Sequence, residues 1–331
     1  PGSIARSLAD AINYQFGFNG AFSLYTPERN WPHVVNHEHE SFSAQHQWNM
    51  GRRDEAAIIE NGHEVREEQY LTYAFRDRMK RYIEDHKDEP FFLYAAFNAP
   101  HVPFQAPVDY YCRYAQVEDD NKRVYYSMIS ALDDAIGEVH QTIKDAGIEE
   151  DTLIFLLSDN GGASYTHATD NGPLKGGKLT QFEGGINVPF MMKWTGTVPA
   201  GTRYAHPVSS TDIFATSVAA VGGVLPSDRH YDGVDLVPYV TGTKEGLPHE
   251  TLYWRADHIW AIRDRQYKLI LSTRDGWAEL YDLEVDKPEQ INLKEQLPEL
   301  YEKLREEHER WQREELKKSP MWPRIMDKRF V

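Results

Sequence analysis

The chain has 331 residues, enough for one large α/β domain with an appendage or for two ordinary domains with substantial cores. Its 52 acidic residues outnumber 36 basic ones, and the net charge of −16 argues against nucleic acid or an anionic membrane as the main partner. The single cysteine, Cys112, leaves no internal disulfide and no cysteine-rich zinc site, and no apolar run approaches the length of a membrane span.

The first hundred residues predict an irregular segment, a helix and a strand. Residues 1 to 62 show no sustained hydrophobic period and are expected to be mostly irregular. Apolar residues at four-residue spacing, beginning at Leu71, predict an amphipathic helix over residues 67 to 87. The uniformly apolar run 91 to 97 then predicts a strand buried on both faces.

A second helix and strand follow in the same order. The helix is predicted to begin near Asp120, where an aspartate or asparagine can cap it, and to run to Gly147. Its predicted apolar stripe consists of Tyr125, Ile129, Leu132, Ile136, Val139 and Ile143. Another continuous apolar run, residues 152 to 157, predicts a second buried strand. This alternation of helices and strands indicates an α/β fold with a mostly parallel central sheet and helices on both faces.

The second strand ends abruptly in the sequence Ser-Asp-Asn-Gly-Gly, residues 158 to 162. Ligands of open α/β sheets bind at the carboxyl ends of strands, and Asp159 and Asn160 offer two adjacent oxygen donors there. Lys178 follows sixteen residues after the second glycine. By itself this pattern is equally compatible with a strand that ends in an ordinary polar turn.

The pattern of apolar and turn-forming residues changes past about residue 245. Short apolar segments separated by Asp and Gly turns, between residues 252 and 281, predict an antiparallel meander. Pro298 opens a charged helix with Leu300, Leu304 and Trp311 on its buried edge. We therefore predict an α/β domain over residues 1 to 245 and a smaller α+β subdomain over residues 246 to 331.

Five blocks, in this order, resemble the sulfatases of the alkaline phosphatase superfamily. They are residues 91 to 107 with Asn-Ala-Pro-His, the strand end at 158 to 162, Leu-Lys-Gly-Gly-Lys at 174 to 178 with Glu-Gly-Gly-Ile-Asn-Val-Pro at 183 to 189, Asp-Gly-Val-Asp-Leu at 232 to 236, and Leu-Tyr-Asp-Leu-Glu-Val-Asp at 280 to 286. The resemblance extends from about residue 14 to 323.

The resemblance also implies a part that these residues lack. Sulfatases begin with an aspartate pair for the metal, a Cys-or-Ser-x-Pro-x-Arg segment whose first residue becomes formylglycine, and a Lys-Trp-His motif. None of these is found here, and Cys112 has no proline two residues on. The expected domain is therefore incomplete at its N-terminal side, and the 331 residues alone are expected to show no sulfatase turnover and weak calcium affinity.

The resemblance implies roles for the remaining site residues. In the family a hydrated formylglycine attacks sulfur and one divalent cation, usually Ca²⁺, polarises the sulfate. Asp159 and Asn160 would supply half of the metal ligands, Lys178 would bind a sulfate oxygen, and His101 would contact the sulfate or the bridging oxygen. Three neighbouring residues are expected on the substrate side: Lys175, Asn98 and His167. From the residues alone, His101 could instead cap a loop and Lys178 could be a solvated lysine.

The implied function is hydrolysis of sulfate esters, with a sulfated small molecule or glycan as partner. Carbohydrate sulfates are favoured over aryl sulfates by analogy with bacterial polysaccharide-degrading sulfatases, which also suggests a periplasmic or secreted protein. Two alternatives stay open. One is a phosphate-ester hydrolase of the same superfamily, which metal stoichiometry would separate, and the other is a non-catalytic sulfatase fragment.

Overall fold

The computed structural model describes residues 16–18, 34–36, 58–65, 67, 69–101, 104–256 and 258–315. These residues form two compact units. The first runs to Ile154 and includes Ala163–Asp170 and Trp194–Gly196; the second comprises Phe155–Gly162, Asn171–Lys193 and the chain from Thr197 onward. The predicted boundary near residue 245 does not coincide with this division, although residues 246 to 315 lie wholly in the second unit. The subdomain boundary therefore stays a prediction.

The first unit combines short strands with two long helices. Its strands are β1 (Phe16–Phe18), β2 (Val34–Asn36), β3 (Ile58–Glu60), β4 (His63–Val65) and β5 (Gln105–Pro107), paired antiparallel as β1-β3-β4 and β2-β5. Its helices are α1 (Leu71–His86), α2 (Val108–Arg113) and α3 (Asp120–Asp145), with a 3₁₀ turn at Ser164–Thr166. Most of the region 1 to 62, expected to be irregular, lies outside the described residues.

Helix α1 confirms the four-residue spacing of its apolar positions. Leu71, Phe75, Met79 and Ile83 are all buried. The first three of these pack with Ala74 in one core cluster, which Val139 of α3 also contacts. The helix ends four residues before Pro90, as the sequence predicts.

Helix α3 begins where expected and buries part of the predicted stripe. The Asp119 carboxylate caps it by accepting a hydrogen bond from Lys122 N at 3.0 Å. The buried positions centre on Val124, Met128, Ala131 and Ala135, whereas Ile129 is 40% exposed. Ile143 is buried as predicted, so the contact face overlaps the predicted stripe but is shifted toward two alanines, which a search for large apolar side chains overlooks.

The two apolar runs differ from the predicted buried strands. Residues 91 to 97 join no ladder within the described part of the chain; Phe92 is 52% and Tyr94 81% exposed, while Leu93 and Phe97 contact the α1 cluster. Strand β6 (Ile154–Leu157) does form, but it is only partly buried and pairs with β7 (Phe190–Lys193). A strand is buried on both faces only where other elements pack over each face. The exposed side chains of the two runs show that this cover is missing among the described residues.

The second unit holds the predicted C-terminal meander. Strands β8 (Thr251–Ala256), β9 (Ile259–Asp264), β10 (Tyr267–Ser272) and β11 (Ala278–Asp282) form one antiparallel sheet in the order β11-β10-β9-β8. Three short helices precede it: α4 (Glu183–Ile186), α5 (Asp212–Ala220) and α6 (Val237–Val240). The antiparallel sheet predicted for residues 252 to 281 is confirmed.

Helix α7 (Pro298–Glu314) packs on this sheet, as predicted. Leu304 is fully buried in a cluster with Ile262, Leu269 and Leu280. Trp311 is more than half buried and stacks on the Tyr253 ring, with the ring centroids 4.8 Å apart. Among the described helices, none has the length and apolar composition needed to cross a bilayer.

Candidate active site

The polar residues that follow β6 donate hydrogen bonds to backbone carbonyl groups. Ser158 N donates to Pro189 O at 3.2 Å, and Ser158 Oγ donates to Asn160 O at 2.8 Å. Asn160 Nδ2 donates to Gly161 O at 2.9 Å, which leaves its Oδ1 as an acceptor. No hydrogen bond from the described residues reaches the exposed Asp159 carboxylate. Two adjacent oxygen ligands are therefore available where the strand ends.

A glycine contact closes the strand end against the next segment. Gly161 N donates to Gly185 O at 2.9 Å. A Cβ atom at Gly161 would lie 1.7 Å from Gly184 O, so no larger residue fits without displacing the backbone. Lys178 N donates to Gly162 O at 3.0 Å. The structure thus brings the backbone of Lys178 within one hydrogen bond of the segment that bears Asp159 and Asn160.

Lys178 belongs to a compact loop, residues 175 to 183, which we call the lysine loop. Gly184 N donates to Lys175 O at 2.8 Å and closes it at its base. Within the loop, Thr180 Oγ1 donates to Gly177 O at 2.7 Å. The fold thereby presents Lys178 on a braced turn, with its side chain partly exposed.

Asn171 ties the lysine loop to the strand end and was not anticipated from the sequence. Its Oδ1 accepts from Gly162 N at 2.7 Å, and its Nδ2 donates to Gly162 O at 2.9 Å and to Gly176 O at 3.2 Å. The only signal in the sequence is its place in the polar turn Asp-Asn-Gly-Pro, residues 170 to 173. Such turns are common, and this one does not reveal its bridging role.

Lys175, expected on the substrate side, is engaged by protein groups. Its Nζ lies 3.0 Å from Glu279 Oε2 and 2.8 Å from Tyr281 Oη, and it sits 4.2 Å from the centroid of the Phe182 ring. Burial, followed by the hydrogen bond to Glu279, raises the pKa of the Tyr281 phenol, which therefore stays protonated. A substrate-binding role for Lys175 stays a prediction that requires this contact to open.

The other predicted residues lie in the first unit. His101 N donates to Asn98 O at 2.9 Å, closing a turn that leaves both residues partly buried. His167 is exposed, in the left-handed conformation with φ of 60°, and its N donates to Ser164 O at 3.0 Å. Convergence of these side chains with Lys178 and Asp159 stays a prediction.

The oxygen donors at the strand end suit a hard cation. A carboxylate and an amide oxygen are ligands that Ca²⁺ prefers, and neither is consumed by the contacts above. In the part of the chain that the structure describes, no group of three or more His, Cys, Asp and Glu side chains is arranged to hold a metal. Asp159 and Asn160 therefore fit part of a calcium site, since that ion takes about six to eight ligands.

Comparison with known proteins places this arrangement in a family. The Sulfatase family model matches residues 10–224, and the model for the C-terminal region of N-sulphoglucosamine sulphohydrolase matches residues 177–314. N-acetylgalactosamine-6-sulfatase of Canis lupus familiaris is 34% identical over 215 residues, which cover 63% of this chain and 39% of that protein. Arylsulfatase D of Homo sapiens is 32% identical over 242 residues, covering 69% of this chain and 38% of that protein.

Solved structures show the same relationship. The crystal structure of Ps i-CgsB superposes with a TM-score of 0.77 at 29% identity, covering 90% of this chain and 66% of that one. The same protein has been solved in complex with k-i-k-neocarrahexaose. The fold is accordingly the α/β fold of the alkaline phosphatase-like sulfatases. The chain spans less than half the length of the curated relatives above, and it belongs to the sulfatase family.

Proposed function

We propose that the protein hydrolyses sulfate esters of carbohydrates, with Lys178 as a sulfate-binding residue. The observation that carries the proposal is the hydrogen bond from Lys178 N to Gly162 O, which fixes the lysine loop beside Asp159 and Asn160. A lysine whose backbone is fixed beside two possible cation ligands suits a sulfate site, because its ammonium group can pair with an anionic oxygen. The family match over residues 10–224 supports the reaction class.

Each residue of the proposed site has one role. Lys178 holds a sulfate oxygen and offsets the negative charge that develops as the ester bond breaks. His101 donates a hydrogen bond to the sulfate or to the bridging oxygen; at the bridging oxygen it can also give its proton to the alcohol that leaves as the S–O bond breaks. Asp159 and Asn160 would hold Ca²⁺, and Lys175, Asn98 and His167 stay candidates for contacts to the sugar.

Two further groups, a calcium ion and a formylglycine, would supply the remaining chemistry. A calcium ion would polarise the sulfate, and a formylglycine from a Cys-or-Ser-x-Pro-x-Arg segment would supply the nucleophile. The residues described here bind and orient the ester and receive the charge of the leaving group.

Two comparisons favour a glycan as the substrate. The structural relative Ps i-CgsB binds k-i-k-neocarrahexaose, and the canine relative is named for a sulfated amino sugar. A protein that acts on glycans outside the cytoplasm must be exported, so we also propose a periplasmic or secreted location.

The test is sulfate release from sulfated oligosaccharides by the protein as its gene encodes it, with the maturation its host performs. Lys178→Ala should lower kcat/KM about 10²- to 10³-fold, the usual loss when one charge-stabilising donor is removed. Lys287→Ala is the matched control, because Lys287 is an exposed lysine of the same unit. The same oligosaccharides carrying phosphate in place of sulfate are assayed in parallel: release of phosphate without release of sulfate would favour a phosphate-ester hydrolase, and release of neither would favour a non-catalytic protein.

The dependence on metal forms a second arm of the same test. Chelation of calcium should abolish sulfate release, and Asp159→Asn should raise the calcium concentration required for half-maximal activity, because a charged ligand is lost. Calcium binding measured by calorimetry provides a readout that does not depend on turnover. Unchanged affinity in Asp159→Asn would contradict the assignment of this residue.

A further inference from the structure

Four charged side chains lie together next to the lysine loop, and we call them the buried charge cluster: Glu183, Arg263, Lys268 and Glu289. Lys268 is fully buried, and its Nζ lies 2.7 Å from Glu183 Oε1 and 2.9 Å from Glu289 Oε1. Arg263 Nη1 approaches the second oxygen of Glu183 at 4.0 Å. Two cations face two anions, so the loss of any single member leaves the cluster with an unbalanced charge.

The cluster joins the end of the lysine loop to the C-terminal sheet. Glu183 ends the loop and begins α4, whereas Lys268 lies in β10 and Glu289 follows β11. Glu289 Oε2 also accepts a hydrogen bond from Glu183 N at 2.7 Å, and Asn187 Nδ2 donates to Glu183 Oε2 at 3.0 Å. The backbone and both carboxylate oxygens of Glu183 are thus fixed.

The start of the loop is anchored to the same sheet. Lys175 contacts Glu279 and Tyr281 of β11. Phe182 packs on a core cluster that contains Tyr281 and Ile270. Both ends of a nine-residue loop are therefore held by β10 and β11, and Lys178 lies between them.

Backbone contacts transmit the position of Glu183 to Lys178. Gly184 N closes the loop on Lys175 O, and Gly185 O accepts from the strand-end residue Gly161. A Cβ atom at Gly184 would lie 2.5 Å from Lys175 O, so the two chain segments are packed too closely for a side chain between them. A shift of Glu183 must move the loop.

Lys268 is the member of the cluster that contacts both carboxylates. Burial raises the pKa of Glu289, and the attraction of Lys268 opposes that rise. Without the Lys268 ammonium, two buried carboxylates would face each other, with only Arg263 near Glu183. The site would relieve this by binding a proton, admitting water or releasing the loop.

We propose that Lys268 is a positioning residue for Lys178: by holding Glu183, it sets the place of the lysine loop against the strand end that bears Asp159 and Asn160. This inference rests on the proposed function, because it explains how the sulfate-binding lysine is held. It assigns the C-terminal sheet a part in the reaction although Lys268 itself is buried.

The first experiment measures hydrogen–deuterium exchange of the peptides that cover residues 175 to 187. Lys268→Met should accelerate their exchange at least tenfold and leave the peptide of α7 unchanged. Lys303→Met is the matched control, since Lys303 is an exposed lysine paired with Asp264 at 3.3 Å. Equal protection of the loop in Lys268→Met and wild type would overturn the proposal.

The second experiment is a double-mutant cycle on sulfate release. Lys268→Met should lower kcat/KM at least tenfold in the wild-type background and less than twofold in the Lys178→Ala background, because its effect passes through Lys178. Lys268→Arg should restore part of the loss. Equal losses in both backgrounds would mean a merely structural role and would overturn the proposal.

The two arms separate this inference from the proposed function. Lys268→Met could accelerate exchange of the loop in a protein that releases no sulfate. This result would support the positioning of the loop and refute the sulfatase proposal. If Lys268→Met does not fold, Glu183→Gln replaces it, because it removes the charge that Lys268 holds and keeps the shape of the side chain. Faster exchange of the loop in Glu183→Gln supports the inference, and unchanged exchange contradicts it.

Discussion

His308 shows how burial alone can make one residue sensitive to pH. Its side chain lies in α7, almost completely buried, and its ring stacks on Trp260 with the centroids 4.8 Å apart. Among the residues that the structure describes, its Nδ1 has no hydrogen-bond partner, and Nε2 reaches Trp254 O only at 3.4 Å. Burial lowers the pKa of this imidazole to about 4, so the folded protein holds it neutral.

The free energy of unfolding should therefore fall between pH 6.5 and pH 4. Over that window the His308 imidazole is protonated in the unfolded chain and neutral in the folded chain. The folded state therefore keeps its full stability, with respect to this group, above pH 6.5 and loses part of it as the pH falls toward 4. The expected loss from pH 7 to pH 5 is about 2 kcal/mol. Urea unfolding at both pH values measures it, with His308→Gln predicted to lack this component.

The exposed residue His230 supplies the control for that measurement. Its side chain is 74% exposed, so His230→Gln should keep the pH dependence of the wild type. The same slope in His308→Gln and wild type would contradict the assignment.

Helix α3 illustrates which part of an element its sequence can predict. Its start and length follow from the cap and the apolar spacing, but its buried face follows only in part. The large residues suggested one stripe, whereas Val124 packs in a cluster with Phe104, and Ala131 packs in a cluster with Tyr70 and Tyr110. Residues 91 to 97 show the related error for strands, since an apolar run does not reveal whether a neighbour exists to cover it.

Two adjacent residues of α3 should consequently differ in their effect on stability. Met128→Ala should lower the free energy of unfolding by about 2–5 kcal/mol, because Met128 is 4% exposed and packs on Phe104. Ile129→Ala should cost about 0.5 kcal/mol or less, because Ile129 is 40% exposed. Urea unfolding of the two variants decides between the observed face and the predicted stripe, and a larger loss in Ile129→Ala would contradict the structure.

At the scale of the molecule, the net charge of −16 opposes the anionic substrate that we propose. Screening shortens the reach of this repulsion from about 30 Å at 0.01 M salt to about 8 Å at 0.15 M. The KM for a multiply sulfated oligosaccharide should therefore fall by about twofold or more over this range. A monosulfated saccharide should respond less and serves as the control. A rise of KM with salt would indicate a basic binding surface instead.

The candidate site was predictable from the sequence only in part. The contact between the Lys178 backbone and the strand end that bears Asp159 agrees with the block order read from a short stretch of chain. Lys268 left no such signal, because its partner Glu183 is 85 residues away and a lysine in a strand is normally solvent-facing. Sequence patterns indicate residues whose contacts lie nearby in the chain. They do not indicate residues whose partners are distant in sequence and meet only in the folded protein.

The buried charge cluster also constrains how such a chain can be recombined. A chimera joined near residue 245 would take Glu183 from one parent and Lys268 with Glu289 from the other. If the second parent lacks a cation at position 268, the hybrid buries two carboxylates without their counter-ion, although each half is well formed in its own protein. A chimera that takes the lysine loop together with β10 and β11 from one parent avoids this mismatch.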